Sequence, residues 1–247
     1  MDTLNCWICL NQKPLTGEHK FKASDLRSEF GREKMSKFVR GTGIKTHEEI
    51  QGVKSKKAKF KNSICAECNG SLTQAADKAY STFVDMLPDS PKSIEDLYAI
   101  YDTKQFFNGT SKECIEVYRY FGKLLGCHVV ENDLLIPESL RSFVASENDE
   151  VCVYLELKFD EFSQEILQLL AEKGDAQGFV GHGDLTIPCD RGNHKPQRFL
   201  SSYTKGIIKF EFWHDLKFNY LNQHYYPESR LFELTQNALK RDGFINK

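Results

Sequence analysis

The segment SICAECNGSLTQAADKAYSTFVDMLP (63–88) decides the fold, because it couples a Cys-x-x-Cys pair, Cys65 and Cys68, to an amphipathic run. Its counterpart is CWIC (6–9), where Cys6 and Cys9 repeat the spacing 55 residues upstream. Two such pairs supply four thiolates to one tetrahedral Zn²⁺, each wrapping the ion from a tight turn at Zn–S distances of about 2.3 Å. Cys6, Cys9, Cys65 and Cys68 therefore read as one structural zinc site that staples two distant segments. Everything between them becomes an insertion held at both ends. Buried free cysteines and a redox pair are the alternatives, but a redox Cys-x-x-Cys expects a single motif beside a βαβ unit.

Working outward, Ala75, Ala79, Phe83 and Leu87 fall at helical spacing and predict a helix of about five turns stopped by Pro88. Upstream, CWIC is followed by the turn-rich NQKPLTG and the polar EHKFKASDL, which has no apolar stripe before Leu26; a knuckle leading into a short hairpin is the economical reading. Residues 30–61 are too polar for a core and read as a long loop with short elements. Downstream, SIEDLYAIYD, SKECIEVYRYFGKLLG, PESLRSFVAS, DEFSQEILQLLAEKG and YPESRLFELTQNALK read as helices, with Ser93 as a candidate N-cap. VCVYLEL, GHGDLTIP and GIIKFEFWHDLKFNYL alternate as strands. The whole predicts an α+β protein with two parts, residues 1–90 around the zinc staple and residues 91–247 as an α+β accessory domain.

The net charge of −2 conceals a split: residues 1–70 hold 14 Lys and Arg against 8 Asp and Glu, and the rest 19 against 27. A basic segment of this kind points to nucleic-acid contact on its side of the molecule. Hydrophobic residues at 40% exclude a largely disordered chain, and no apolar run approaches the roughly 18–20 residues that span a bilayer. The start MDTLNCWICL lacks the pattern of a secretory leader, so the expectation is a cytoplasmic protein without a membrane partner. Of the other cysteines, Cys114, Cys127, Cys152 and Cys189 are expected as buried small apolar residues. The remaining histidines form no paired ligand motif.

Beside the staple, Glu18-His19 falls where a hairpin strand would end, and Asn69 follows the last cysteine at the start of the long helix. A carboxylate and an amide oxygen brought together there are hard ligands for Mg²⁺ or Mn²⁺, with the histidine placed as a base. CWIC, GEH and CAECN together resemble the HNH (ββα-metal) endonucleases, in the bacterial variant braced by four cysteines. The resemblance, confined to residues 6 to about 87, implies a ββα-metal fold and hydrolysis of DNA phosphodiesters. It makes Glu18 and Asn69 ligands of the catalytic ion and His19 the general base. Asp77 and Gln74 on the helix are supporting residues, Asp77 acting through His19, water or a lysine. The family's middle asparagine is replaced by Phe60, with Asn62 displaced from it; Asn62 or a backbone carbonyl then orients His19. Lys20, Lys54, Lys56, Lys57, Lys59 and Lys61, with Lys22 and Arg27, are candidates for backbone phosphates. Phage defence or restriction is a setting suggested by analogy, and the accessory domain is a candidate surface for a protein partner. A non-catalytic nucleic-acid or protein-binding module on the same scaffold is the rival reading.

Overall fold

The computed structural model describes residues 5–30, 38–41, 47–50, 56–87, 111–172, 178–189 and 196–216. The expected helices at SIEDLYAIYD and YPESRLFELTQNALK, with the Ser93 cap, lie outside these residues. The architecture is mixed α and β, with antiparallel sheets and five α-helices among the described residues.

The first knuckle is a small closed turn: Leu10 N–H donates to Cys6 O at 2.8 Å, Cys6 N–H to Asn11 O at 3.0 Å, and Asn5 bridges Gln12. The chain then enters β1 (Leu15–Thr16), α1 (Ala23–Phe30), β2 (Phe38–Gly41), β3 (His47–Ile50) and β4 (Ile64–Cys65). The expected short local hairpin after the knuckle does not form. β1 pairs instead with β4, Leu15 opposite Cys65, and the antiparallel track continues through Phe60 N–H to Glu18 O and Lys20 N–H to Ala58 O, both 2.8 Å. β2 and β3 form a separate antiparallel pair inside the insertion. The physical reason is closure: the second cysteine pair begins at Cys65 within β4, so joining the thiols also joins the arms. Gly17 permits the track, since a Cβ there would stand 2.5 Å from the Phe60 carbonyl oxygen.

α1 forms in a segment that lacks an apolar stripe. Its inner face consists of Leu26 and a carboxylate, Asp25, which is 4% exposed and accepts hydrogen bonds from Tyr80 at 2.7 Å and Tyr203 at 2.8 Å. The long helix after Cys65 opens with a π-helical turn (Cys68–Leu72) before α2 (Gln74–Asp85).

α3 (Lys112–Glu131) is the centre of the molecule. Ser111 caps it, accepting from Cys114 N–H at 3.2 Å. The helix continues five residues beyond the glycine where its periodicity was expected to end, and it is buried on nearly all sides from Cys114 to Val129. Phe121 and Leu125 lie in the core together with Val117, Tyr120 and Leu124, while Ile115 and Tyr118 are only partly buried. One face of α3 meets α2, and the other meets α4 (Glu138–Val144) and a four-stranded antiparallel sheet. The sheet has the order β5 (Tyr154–Phe159), β8 (Ile208–Asp215), β7 (Arg198–Lys205), β6 (Val180–His182), with α5 (Glu161–Glu172) following β5. Phe199, Ser201, Tyr203, Phe210 and Phe212 form its inner face, whereas Trp213 stacks on Tyr154 across the outer one. Val153 and Leu157 are buried, but Val151 lies before the strand and is exposed. Cys114 and Cys127 are buried as expected; Cys152 and Cys189 are not, being partly exposed at the sheet margin. A single hydrophobic cluster runs from Cys6 to Leu216 and crosses the 90/91 boundary.

One buried imidazole inside this core is matched by partners from two other elements. His128 receives Leu185 N–H on Nε2 at 3.1 Å, so Nδ1 carries the proton and donates to Ser201 Oγ at 3.0 Å. Burial, with His182 and Lys20 adding to it, pushes the imidazole down to about 2. A histidine lowered in the fold makes the unfolded chain bind more protons below about pH 6.5, so stability falls as pH drops through that value. Between pH 7 and pH 5 the wild type should lose about 2 kcal/mol more than His128→Gln, measured by urea unfolding.

Close packing sets a second expectation. A Cβ at Gly126 would stand 2.4 Å from the Trp7 ring, where α3 meets the first knuckle, whereas one at Gly70 meets nothing. Gly126→Ala should destabilise by about 1–3 kcal/mol and Gly70→Ala should not, read as the shift in denaturant midpoint.

Candidate functional site

The thiols of Cys6, Cys9, Cys65 and Cys68 all lie within 4.8 Å of one another, Cys9 and Cys65 at 3.9 Å, and no two are joined as a disulfide. Cys6, Cys65 and Cys68 are buried and Cys9 half-buried. Lys13, in the first loop, pairs with Glu67, between the second two cysteines, and so clips the knuckles together on the outside. Burial opposes ionisation of Cys9, but the Asn11 N–H and the neighbouring thiols hydrogen-bond to it and bring it down to about 7. Four soft donors at one point fit a tetrahedral thiolate-loving metal.

The knuckles are tied into the rest of the molecule by uncommon means. Arg141 on α4 donates to Ile8 O at 3.0 Å, while its guanidinium is forked between Glu138 and Glu147. Trp7, between the first two cysteines, lies against Gly126.

Glu18 and His19 lie on the first arm of the hairpin. The Glu18 side chain is 13% exposed and faces Lys123 of α3, its Oε2 standing 3.4 Å from Nζ. Lys123 has no exposed side-chain surface, donates to Asp77 Oδ1 at 2.9 Å, and lies 3.4 Å from Thr73 Oγ1. Hairpin, α2 and α3 thus each send one charged group to a common point. Burial holds the Glu18 carboxyl above its usual range, with Asp77 adding to the shift and Lys123 opposing it. Burial also works against Lys123, yet Glu18 and Asp77 outweigh it and hold the ammonium above its usual value. Lys22 approaches from the hairpin, its ammonium on the Asp77 carbonyl and 4.8 Å over the Tyr80 ring. Burial lowers its pKa, and Asp77 and Asp25 partly restore it.

His19 is partly exposed and bridges Lys59 on the opposite arm. Asn69 sits in the π-helical turn and donates its amide to Thr16 Oγ1 at 3.1 Å, linking the helix start to β1. Asn62 is exposed with its oxygen beside Gly17, and Phe60 is buried against the rings of His128 and His182. Gln74 is exposed at the first residue of α2.

The lysines divide. Lys20 lies 2.7 Å from Glu131 and over the Phe60 ring, and Lys61 lies 2.6 Å from Asp133. Lys56 and Arg27 are exposed and Lys59 partly so. Lys54 and the Lys57 side chain lie outside the described residues. Lys123 itself escaped the sequence reading, although it falls on the line of Glu116, Tyr120 and Cys127, at helical spacing on the inner side of α3.

Among the described residues the cysteine tetrad is the one metal-type cluster of three or more donors. Glu18 and Asp77 offer oxygen donors that converge on the Lys123 ammonium. No described helix is long and apolar enough to cross a membrane. Comparisons with protein-family models, with curated proteins and with solved structures each return no match.

The purified chain should carry one equivalent of zinc per molecule, measured by elemental analysis against protein concentration. Cys68→Ser should lose it and melt at markedly lower temperature, as expected where metal binding is folding energy.

Proposed function

We propose that the protein is a metal-dependent endonuclease of the HNH type that hydrolyses DNA phosphodiester bonds. The supporting observation is the order of parts: a hairpin arm bearing Glu18-His19, a returning arm ending at Cys65, and a helix opening at Cys68-Asn69, with the cysteine tetrad closing the three. Zinc is the ion we assign to the tetrad, and Mg²⁺ or Mn²⁺ the ion we assign to Glu18 and Asn69, with Asp77 as a neighbouring carboxylate.

When bound, such a divalent ion polarises the scissile phosphate and stabilises the leaving oxygen. Neutral His19, partly exposed on the hairpin arm, takes the proton of the attacking water. Its backbone is fixed by the bridge to Lys59, which limits how far the imidazole can wander from the cleft. Among the described candidates, Lys56, Lys59 and Arg27 would meet backbone phosphate, because Lys20 and Lys61 are engaged by Glu131 and Asp133. Phage defence or restriction would suit such an activity.

A second reading, a non-catalytic nucleic-acid or protein-binding module, is favoured by one observation: Lys123 already stands against the Glu18 carboxylate. Plasmid incubation separates the two. Nicking is expected in Mg²⁺ or Mn²⁺ and none in EDTA, with His19→Ala slowing it by at least about 10²-fold while zinc content and melting stay unchanged. A gel shift without nicking favours the binding module, and undiminished cleavage by His19→Ala removes His19 as the base.

A further inference from the structure

The four thiols of the tetrad are unequal in one respect. Cys6, Cys65 and Cys68 are 0%, 1% and 2% exposed, whereas Cys9 is only half-buried. A small oxidant arriving from solvent therefore meets Cys9 first. A second sulfur stands behind it: Cys65 Sγ, from the opposite knuckle, lies 3.9 Å away, and the two are not joined. The other half-buried cysteines lack this arrangement. Cys152 donates its S–H to Ser139 O at 3.4 Å and Cys189 to Ile187 O at 3.5 Å, so both are held as thiols, the less reactive form. A metal-bound cysteine is a thiolate, the form that attacks peroxide.

Resting on zinc in the tetrad and not on the nuclease reading, we infer that Cys9 is an oxidation site for hydrogen peroxide, with Cys65 as its resolving thiolate. The Cys9 sulfur attacks one peroxide oxygen; an S–O bond forms, the O–O bond breaks, and hydroxide leaves. The sulfur, now a sulfenic acid, has given two electrons to the peroxide. Cys65 then attacks that sulfur; an S–S bond forms, the S–O bond breaks, and a second hydroxide leaves. One hydrogen peroxide and two thiolates thus become one disulfide and two hydroxides. Only Cys6 and Cys68 remain as donors, half of what a closed tetrahedral site requires. The new bond joins the same two knuckles, so β1 and β4 are kept together and reduction restores the site.

The test reads zinc and sulfur, not cleavage, on the zinc-loaded full chain. Hydrogen peroxide should release the zinc to a chromogenic chelator, peptide mapping should find the Cys9–Cys65 link, and a dithiol with added zinc should reverse both. A sulfenic-acid trap present during oxidation should label Cys9. Cys9→His keeps a zinc ligand without the reactive sulfur and should slow release at least about tenfold; Cys68→His, which replaces a buried sulfur, should not. Zinc retained in excess peroxide, first labelling at any cysteine other than Cys9, a link other than Cys9–Cys65, or undiminished release from Cys9→His overturns the proposal, as does a chain purified without zinc. Should either variant fail to fold, trapping and mapping on wild type decide. A chain that behaves as expected yet never nicks DNA leaves the oxidation site in place and removes the nuclease reading alone.

Discussion

Four thiols drawn from residues 6–9 and 65–68 meet within 4.8 Å, and most of the architecture follows from that meeting. It fixes the register of β1 against β4, because Cys65 is itself the residue opposite Leu15. It makes the hairpin a long-range structure, closed across an insertion that carries α1, β2 and β3. A chain of this kind must lose considerable loop entropy before any strand contact forms. A metal ion held by the four thiols would offset such a loss, structural zinc contributing about 10–16 kcal/mol in small peptides, whereas two short strands do not. The knuckle is also part of the interior: Trp7 and Ile8 are buried, one against Gly126 and the other held through its carbonyl by Arg141. Stability of α3 and α4 is thereby coupled to the tetrad.

The division of charge along the sequence resolves locally. Glu131 and Asp133 stand at the C-terminal end of α3, where unpaired carbonyls already concentrate negative potential. Lys20 and Lys61, from the basic segment, are the cations that meet them there. Part of the positive charge that the composition suggests for phosphate is therefore used to fasten the hairpin to the central helix. Among the described residues of that segment, Lys56 and Arg27 remain exposed and Lys59 partly so.

The tetrad, the helix after it and the amphipathic runs of α3, α4 and α5 were legible because spacing alone carries their signal: ligand pairs at i, i+3 and apolar residues at the helical period. α1 was not, since its inner face is Leu26 with a carboxylate, and Asp25 is tolerable there only through the phenols of Tyr80 and Tyr203, far away in sequence. β7 was also obscured, because RFLSSYTK places Ser201 inside, satisfied by His128 of another element. Glu18, His19 and Asn69 could be named from their places around the cysteines, but their surroundings could not. Whether a carboxylate faces water, an ion or a lysine is a property of the element packed over it, and for Glu18 that neighbour, Lys123 of α3, lies more than a hundred residues downstream.

This bears on how the two parts of the chain relate. A self-sufficient ββα-metal unit would present its acidic residues to solvent and ions directly. Here the Glu18 side chain is 13% exposed, and its nearest cation is supplied by α3. The same helix receives Trp7 beside Gly126 and Lys20 at Glu131, so hairpin, knuckle and site carboxylates each touch it at a different level along its axis. Sliding or tilting α3 by a fraction of a turn would break the Lys123 pairing and the Gly126 contact together. The charge environment of Glu18 and Asp77 is consequently a property of the entire core, and the residues beyond 110 are structural members of the site, not an appendage to it.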